Sequence, residues 1–290
     1  MTLPLSSRWL PIAALLLCPA MVAAQDASTL RPNLPTAGVI KVCADPDNLP
    51  FSNEKQEGFE NKLADLLGSY WNSRVEYAWW PVRRGYFARG LNGRYCDMAM
   101  TAPDKIDMVA TTRAYFRTGY AVVYRKDSGL HITSLDDTTL KHLRIGVNLL
   151  NSDAENTPPA MAMSYHGVVG NLVGFPTFYS DLERPEDIIN AVTDKKIDVA
   201  LVWGPLAGYF IKQTNAPLVM NMLEDDSVSG LPMNFSIAIA TRRQERALRD
   251  SLQAFLVAKR PEIQALLQEY GFPLEPLPAD TTGTSRPPSR

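Results

Sequence analysis

The sequence predicts an α/β protein of two units, each a mainly parallel sheet flanked by helices. Three observations predict it. Short apolar runs alternate with amphipathic stretches at helical spacing from Val39 to Met220, so that strand follows helix throughout. The stretch GVIKVCADPDNLPFSNEKQEGFENKLADLL, Gly38 to Leu67, reads as strand, polar turn and helix, with the turn at the carboxyl end of the strand, where open α/β sheets take their ligands. A second unit begins at Ser134-Leu135-Asp136-Asp137, after the turn-rich crossover Lys126-Asp127-Ser128-Gly129. With 290 residues, 46% of them hydrophobic, the chain can bury one large core or two moderate ones.

Taken in order, Met1 to Ala24 carries Arg8, the apolar run WLPIAALLL and the small residues Val22-Ala23-Ala24, the pattern of a secretory signal cleaved after Ala24. That apolar run is short of the roughly 20 residues a spanning helix needs, so a soluble, exported, monomeric product is expected. Leu17 before Cys18 argues against a lipoprotein anchor. Cys43 and Cys96 remain after cleavage, and two cysteines in an oxidising compartment most simply form a disulfide. The formal charge of -2, from 29 basic and 31 acidic residues without long runs of one sign, argues against nucleic acid or an anionic membrane as partner.

Residues 25–37 read as a linker. The strand from Val39 to Cys43 is followed by the loop of Asp45, Asp47, Asn48 and Pro50, then by a helix with Phe59, Leu63, Leu66, Leu67 and Tyr70 on its apolar face. Further strands are read at Val75 to Trp79, at Cys96 to Thr101 before the breaker Ala102-Pro103, and at Tyr120 to Tyr124, with a helical stretch from Gly85 to Leu91. The second unit gives strands at Arg144 to Val147, Leu172 to Phe175, Asp198 to Trp203 and Pro217 to Met220. Its helices start at Thr157-Pro158, with a capping hydroxyl and a proline at the first position, and run over Pro185 to Thr193 and Pro205 to Lys212. NFSIAIA, Asn234 to Ala240, alternates as a strand and precedes two helices, Gln244 to Lys259 and Pro261 to Tyr270, the second stopped by Gly271. The tail from Pro273, rich in Pro, Ser and Thr, is expected to be disordered.

The strings VCADPDNLPFS, GFENKLADLL, AYFRTGYAVVYRKD, SLDDTTLKHLRIGV, IDVALVWGPLAGY and NFSIAIATRRQERALRDSLQAFL together resemble the type II periplasmic solute-binding proteins, in which two α/β lobes close over a ligand. YAWWPVRRG, NTPPA and VWGPLAGYF narrow the resemblance to proteins associated with quinoprotein dehydrogenases, the J proteins of methanol dehydrogenase gene clusters. The resemblance implies a discontinuous first lobe, residues 38–127 plus 234–272, a second lobe of 128–233, two crossover hinge segments and a cleft between the lobes.

Two departures bear on the ligand. Amino-acid-binding members carry an Arg for the ligand's carboxylate where alignment on YFRTGYAVVYRKD puts Lys105, a point charge without the bidentate fork. They carry an Asp for the ammonium group where this chain has Trp203. The resemblance therefore implies a ligand other than an α-amino acid. The cleft candidates are Asp45, Asn48, Phe51, Trp80, Arg84, Thr101, Lys105, Asn156, Thr157, Trp203 and Gly204. Aromatic faces beside cations suit a flat or carboxylate-bearing compound, or a protein contact.

Catalytic signals are weak. His131, His142 and His166 show no metal spacing, no nucleophile elbow or phosphate loop is present, and Glu57 and Glu60 are read as acids favoured by a helix N-terminus. Neither a metal nor a cofactor is expected. The reading is a non-enzymatic periplasmic binding protein assisting a PQQ-dependent methanol or alcohol dehydrogenase. The alternatives are a solute-binding component of an ABC-type importer for a non-amino-acid metabolite, and, third, a cleft enzyme such as a dehydratase.

Overall fold

The computed structural model of the chain describes residues 36–82, 85–150, 156–177 and 183–278. The expected signal segment, most of the linker, Arg84 and the tail from residue 279 lie outside the described residues.

In chain order the elements are β1 (Val39–Ala44), β2 (Asp47–Asn48), β3 (Ser52–Asn53), α1 (Phe59–Trp71), β4 (Arg74–Trp79), β5 (Met98–Pro103), β6 (Ala110–Thr111) and β7 (Phe116–Arg125). There follow β8 (Ile145–Leu149), α2 (Pro158–Tyr165), β9 (Leu172–Pro176), α3 (Asp187–Thr193), β10 (Val199–Trp203), α4 (Gly204–Gln213), β11 (Leu218–Met222), β12 (Asn234–Thr241), α5 (Arg246–Ala258) and α6 (Arg260–Glu269). One hydrogen-bonded path runs β4-β1-β5-β12-β7-β10-β8-β9, with β11 joined to β7 and β6 to β12. Pairing is parallel at both ends of the path, β4 with β1 and β1 with β5, then β10 with β8 and β8 with β9. In the middle β12 and β7 run antiparallel to their neighbours. The result is an α/β fold with parallel sheets flanked by helices, as the alternation of strand and helix predicts.

β7 is twice the length read from the sequence, and the extra residues have a definite task. Phe116 to Gly119 pair with β12, whereas Tyr120 to Tyr124 pair with β10 and Ala121 to Arg125 with β11. A single strand thus belongs to both ladders. Each ladder has its own core. Phe59, Leu63, Leu67 and Trp71 of α1 pack with Ile40, Met98 and Ile239 of the strands and with Leu252, Phe255, Ile263 and Leu267 of the last two helices. In the other ladder Ile145, Val147, Leu201 and Met163 cover one face, and Ile188, Val192, Val202 and Ala207 the other. These are the apolar positions that helical and two-residue periodicity mark in the sequence.

Several expectations are corrected. Ala102 and Pro103 do not break β5 but end it: Pro103 stands opposite Ile237, at a terminal position where its missing N–H costs little, and Asp104 N–H donates to Ser236 O at 2.9 Å. Residues Tyr86–Leu91 form a π-helical turn, entered through Gly85 at φ +89°. The Thr157 hydroxyl does not cap α2; it donates to Asn148 O at 2.7 Å. The chain beyond Pro273 is not without partners: Thr118 Oγ1 donates to Pro273 O at 2.7 Å and Glu275 N–H to Arg117 O at 2.8 Å, so its first residues lie along β7. Gly271, at φ +69°, does close α6, with Phe272 N–H donating to Leu267 O at 3.0 Å.

Cys43 and Cys96 are joined as expected, with Cα atoms 5.2 Å apart, because β1 and β5 are neighbours and Cys43 stands opposite Ala99. A protein beginning at Gln25 is expected to show no titratable thiol until it is reduced and two thereafter; two thiols before reduction would contradict the pairing. Beside the bridge, Arg242 is buried. Its guanidinium donates to Leu91 O at 3.1 Å, to Cys96 O, to Asp97 Oδ1 at 2.9 Å and to Glu245 Oε1 at 2.7 Å. Burial works against that charge, but the bonds to Glu245 and Asp97 outweigh it and hold the guanidinium above its ordinary value. Among the described residues no helix is long and apolar enough to cross a membrane.

Candidate functional site

The loop between β1 and α1 is fixed from within. Asp45 N–H donates to Ser52 Oγ at 3.0 Å and Ser52 Oγ donates back to Asp45 O at 2.8 Å. The Asp45 carboxylate accepts from Asp47 N–H at 3.0 Å and from Val82 N–H at 2.6 Å, tying the loop to the chain leaving β4. Phe59 and Glu60 N–H donate to Pro50 O and Phe51 O at 2.8 and 2.7 Å, so the first orphan donors of α1 are used on the loop itself. Gly58 is required by this docking, since a Cβ there would lie 2.2 Å from Phe51 O. The loop reaches both cores, Phe51 packing on the first and Leu49 on the second.

Next to Phe51 is a cavity of about 240 Å³, walled by Thr101, Ala102 and Pro103 of β5, Phe116 and Tyr120 of β7, Trp203 at the end of β10, and Phe235 and Ile237 of β12. Strand alternation puts these side chains together: Phe116 pairs with Ile237, and Tyr120 pairs with Trp203. The rings of Tyr120, Trp203 and Phe235 form a cluster with centroids 5.0, 5.9 and 6.3 Å apart. Trp203 packs against both cores, so it closes one wall of the cavity and joins the two halves of the protein.

Of the candidates read from the sequence, Phe51, Thr101 and Trp203 line this cavity. The others do not. Asp45 is turned into its loop, and Asn48 lies in the β2–β3 hairpin. Trp80 packs with Tyr86, Leu91 and the cysteine pair, its ring 6.4 Å from that of Tyr95. Lys105 is exposed in the loop after β5. Asn156 bridges to Leu149, and the Thr157 hydroxyl is spent on Asn148 O. Gly204 is a packing glycine: a Cβ there would lie 2.6 Å from Gly119 O and 2.8 Å from Pro273 Cγ. One turn on, Gly208 is closer still, its Cβ position 2.0 Å from Gly271 O, so α4 lies directly on the end of α6.

The sequence reading places Glu60 at a helix start and not among the cleft candidates. It sits near the start of α1, as expected of an acid favoured by the helix dipole, but it is only 6% exposed and accepts the Thr101 hydroxyl. Burial pushes its carboxyl up to about 7 in spite of the hydrogen bond from Thr101, and the Asp45 carboxylate adds to the rise. The available signal was its position, directly after Phe59 on the helix face that turns toward β5. Phe116, Tyr120, Phe235 and Ile237 were also missed, although their two-residue spacing marks one face of each strand. Elsewhere the fold brings Asp136, His166 and Asp226 within 4.8 Å of one another, which the spacing of the histidines does not show. Asp226 there accepts from Ser229 N–H at 2.7 Å and lies 2.8 Å from His166 Nε2, a latch between the end of α2 and the segment before β12.

Residues 97–273 match the family of bacterial extracellular solute-binding proteins. Over 258 residues the chain is 27% identical to protein MoxJ of Methylorubrum extorquens, covering 84% of each. Among solved structures it is similar to MxaJ of Methlophaga aminisulfidivorans, with a TM-score of 0.69, 27% identity and coverage of 81% of this chain and all of that one. It is also similar to the periplasmic binding protein XoxJ of Methylobacterium extorquens, with a TM-score of 0.67, 29% identity and coverage of 82% of this chain and all of that one. The topology, the cavity at the strand ends and these likenesses agree, and the chain belongs to the family of bacterial extracellular solute-binding proteins, with the type II periplasmic binding fold.

Proposed function

We propose that this protein is a non-enzymatic periplasmic binding protein that assists a PQQ-dependent methanol or alcohol dehydrogenase, in its maturation, its activation or the delivery of a ligand. The observation that carries the reading is the composition of the cavity wall. Trp203 stands in it where amino-acid carriers place an acid, and Lys105 is exposed in a loop outside it. A zwitterionic ligand would lose a charge partner on both sides, and burying an unpaired charge costs several kcal/mol. The likeness to MoxJ, MxaJ and XoxJ supports the dehydrogenase as the partner. In this reading the signal segment directs the chain to the periplasm, and the two ladders, which meet within β7 between Gly119 and Tyr120, act as two lobes around the cavity.

Tagged protein beginning at Gln25 is expected to capture the dehydrogenase from a periplasmic extract, and deletion of the gene is expected to lower dehydrogenase activity. If capture fails and deletion leaves that activity unchanged, the reading is wrong. A second reading, the solute-binding component of an importer, is favoured by one observation: a cavity of about 240 Å³ suits a small metabolite. Saturable uptake of one such compound, lost on deletion with dehydrogenase activity intact, would select it.

A further inference from the structure

The cavity wall is apolar except for three side chains, and they divide by what they can offer. Trp203 carries an indole N–H, which is a donor only. Tyr120 carries a phenol that burial keeps protonated far above neutrality. Thr101 is different because its hydroxyl hydrogen is already committed, donated to Glu60 Oε1 behind the wall. A hydroxyl has one hydrogen to give and two lone pairs to receive with.

We propose that Thr101 is the specificity-determining residue of this cavity: held by the buried Glu60 with its hydrogen turned away, it presents only lone pairs, and so selects a small apolar molecule bearing a hydroxyl or N–H donor over an ether or a carboxylate. The inference rests on the cavity being the binding site in the function proposed above, and it names the ligand class. A carboxylate is doubly disfavoured, since it brings no donor and would approach the Glu60 charge. An alcohol or phenol fits best, since its oxygen can also accept from Tyr120 or Trp203 while its hydrogen goes to Thr101.

The same geometry makes the selection depend on pH. Glu60 is faced by Asp45 and Ser52 from the loop, by Tyr77 from β4, by Tyr86 from the π-helical turn, by Thr101 from β5 and by Tyr115 ahead of β7. Burial raises all three tyrosines, so they stay neutral, and among the described residues Asp45 is the charged group that acts on Glu60. With its carboxyl at about 7, Glu60 is ionised and holds the Thr101 hydrogen above neutrality. Below neutrality it carries a proton that can be donated to Thr101 Oγ1, and the threonine hydrogen is released to turn into the cavity. The wall then changes from acceptor to donor.

Because no natural ligand is identified, the probes are benzyl alcohol, benzyl methyl ether and benzoate, titrated into the mature protein by calorimetry at about pH 8 and about pH 6, on either side of the Glu60 carboxyl. At the higher pH the alcohol is expected to bind about fivefold to tenfold more tightly than the ether, the worth of one well-placed hydrogen bond, and benzoate to bind least. At the lower pH the preference narrows or reverses. Thr101→Val removes the preference at both values, Thr101→Ser restores it, and Glu60→Gln removes its pH dependence. Equal binding of alcohol and ether above neutrality, a preference that survives Thr101→Val, or no binding of any probe at millimolar concentration would each overturn the proposal. The dehydrogenase takes no part in these titrations, so their failure leaves the capture experiment standing on its own.

Discussion

An Arg242→Ala protein is expected to lose about 3–5 kcal/mol of stability, the cost of leaving a buried charge without its partner. For a chain of this size that lowers the melting temperature by roughly 10 °C or more. The magnitude follows from what the guanidinium holds. It satisfies two backbone carbonyls, Leu91 O and Cys96 O, and neutralises Asp97, which is itself 4% exposed and bonded through its N–H to Lys41 O of β1. Removing it leaves the Asp97 carboxylate and both carbonyls without their donor in a buried site. Arg242→Lys should recover only part of the loss, because one ammonium cannot span partners that the planar fork reaches together. Urea unfolding followed by circular dichroism measures both variants. An alanine variant that unfolds at the same urea midpoint would show that the network contributes nothing net.

Gly208→Ala is expected to destabilise the protein by about 2–3 kcal/mol, the upper range of overpacking costs. The sign is the informative part. Within a helix, alanine in place of glycine ordinarily stabilises by about 0.5–1 kcal/mol, by restricting the unfolded chain. Here the added methyl would meet the backbone at 2.0 Å from Gly271 O, and Gly271 cannot easily move because its φ of +69° closes α6. The neighbouring site repeats the arrangement less severely, with Gly204 against Gly119 O and Pro273. A Gly208→Ala protein with a higher urea midpoint than the parent would refute the close approach of α4 to the end of α6.

The elements were legible because their periods are local. Leu63 and Leu67 on α1, Leu252 and Phe255 on α5, and Ile40 and Val42 on β1 mark their buried faces by spacing alone, and the structure places each in the core. The disulfide followed from the count of cysteines left after signal cleavage in an exported chain. The site was legible only in part. Phe51, Thr101 and Trp203 lie at strand ends and loops, where fold class points. Trp80 and Gly204 do not line the cavity, and residue type alone does not say which face of a loop or helix is turned inward. Glu60 is an acid in the first turn of a helix, as read, and that local context gives no sign of its burial. What distinguishes it is Thr101, 41 residues away in sequence, and no local pattern encodes that contact.

β7 carries a mechanical consequence. It is one unbroken pleated ribbon of 10 residues whose first part is bonded into one ladder and whose remainder is bonded into the other. A rotation of one ladder against the other cannot be taken up at this place by a slack connector; it has to be absorbed as twist distributed along the ribbon, which works as a torsion bar. Tyr120, at the changeover from β12 to β10, is also part of the cavity wall. Twist carried along β7 therefore passes through a residue that a bound molecule would touch.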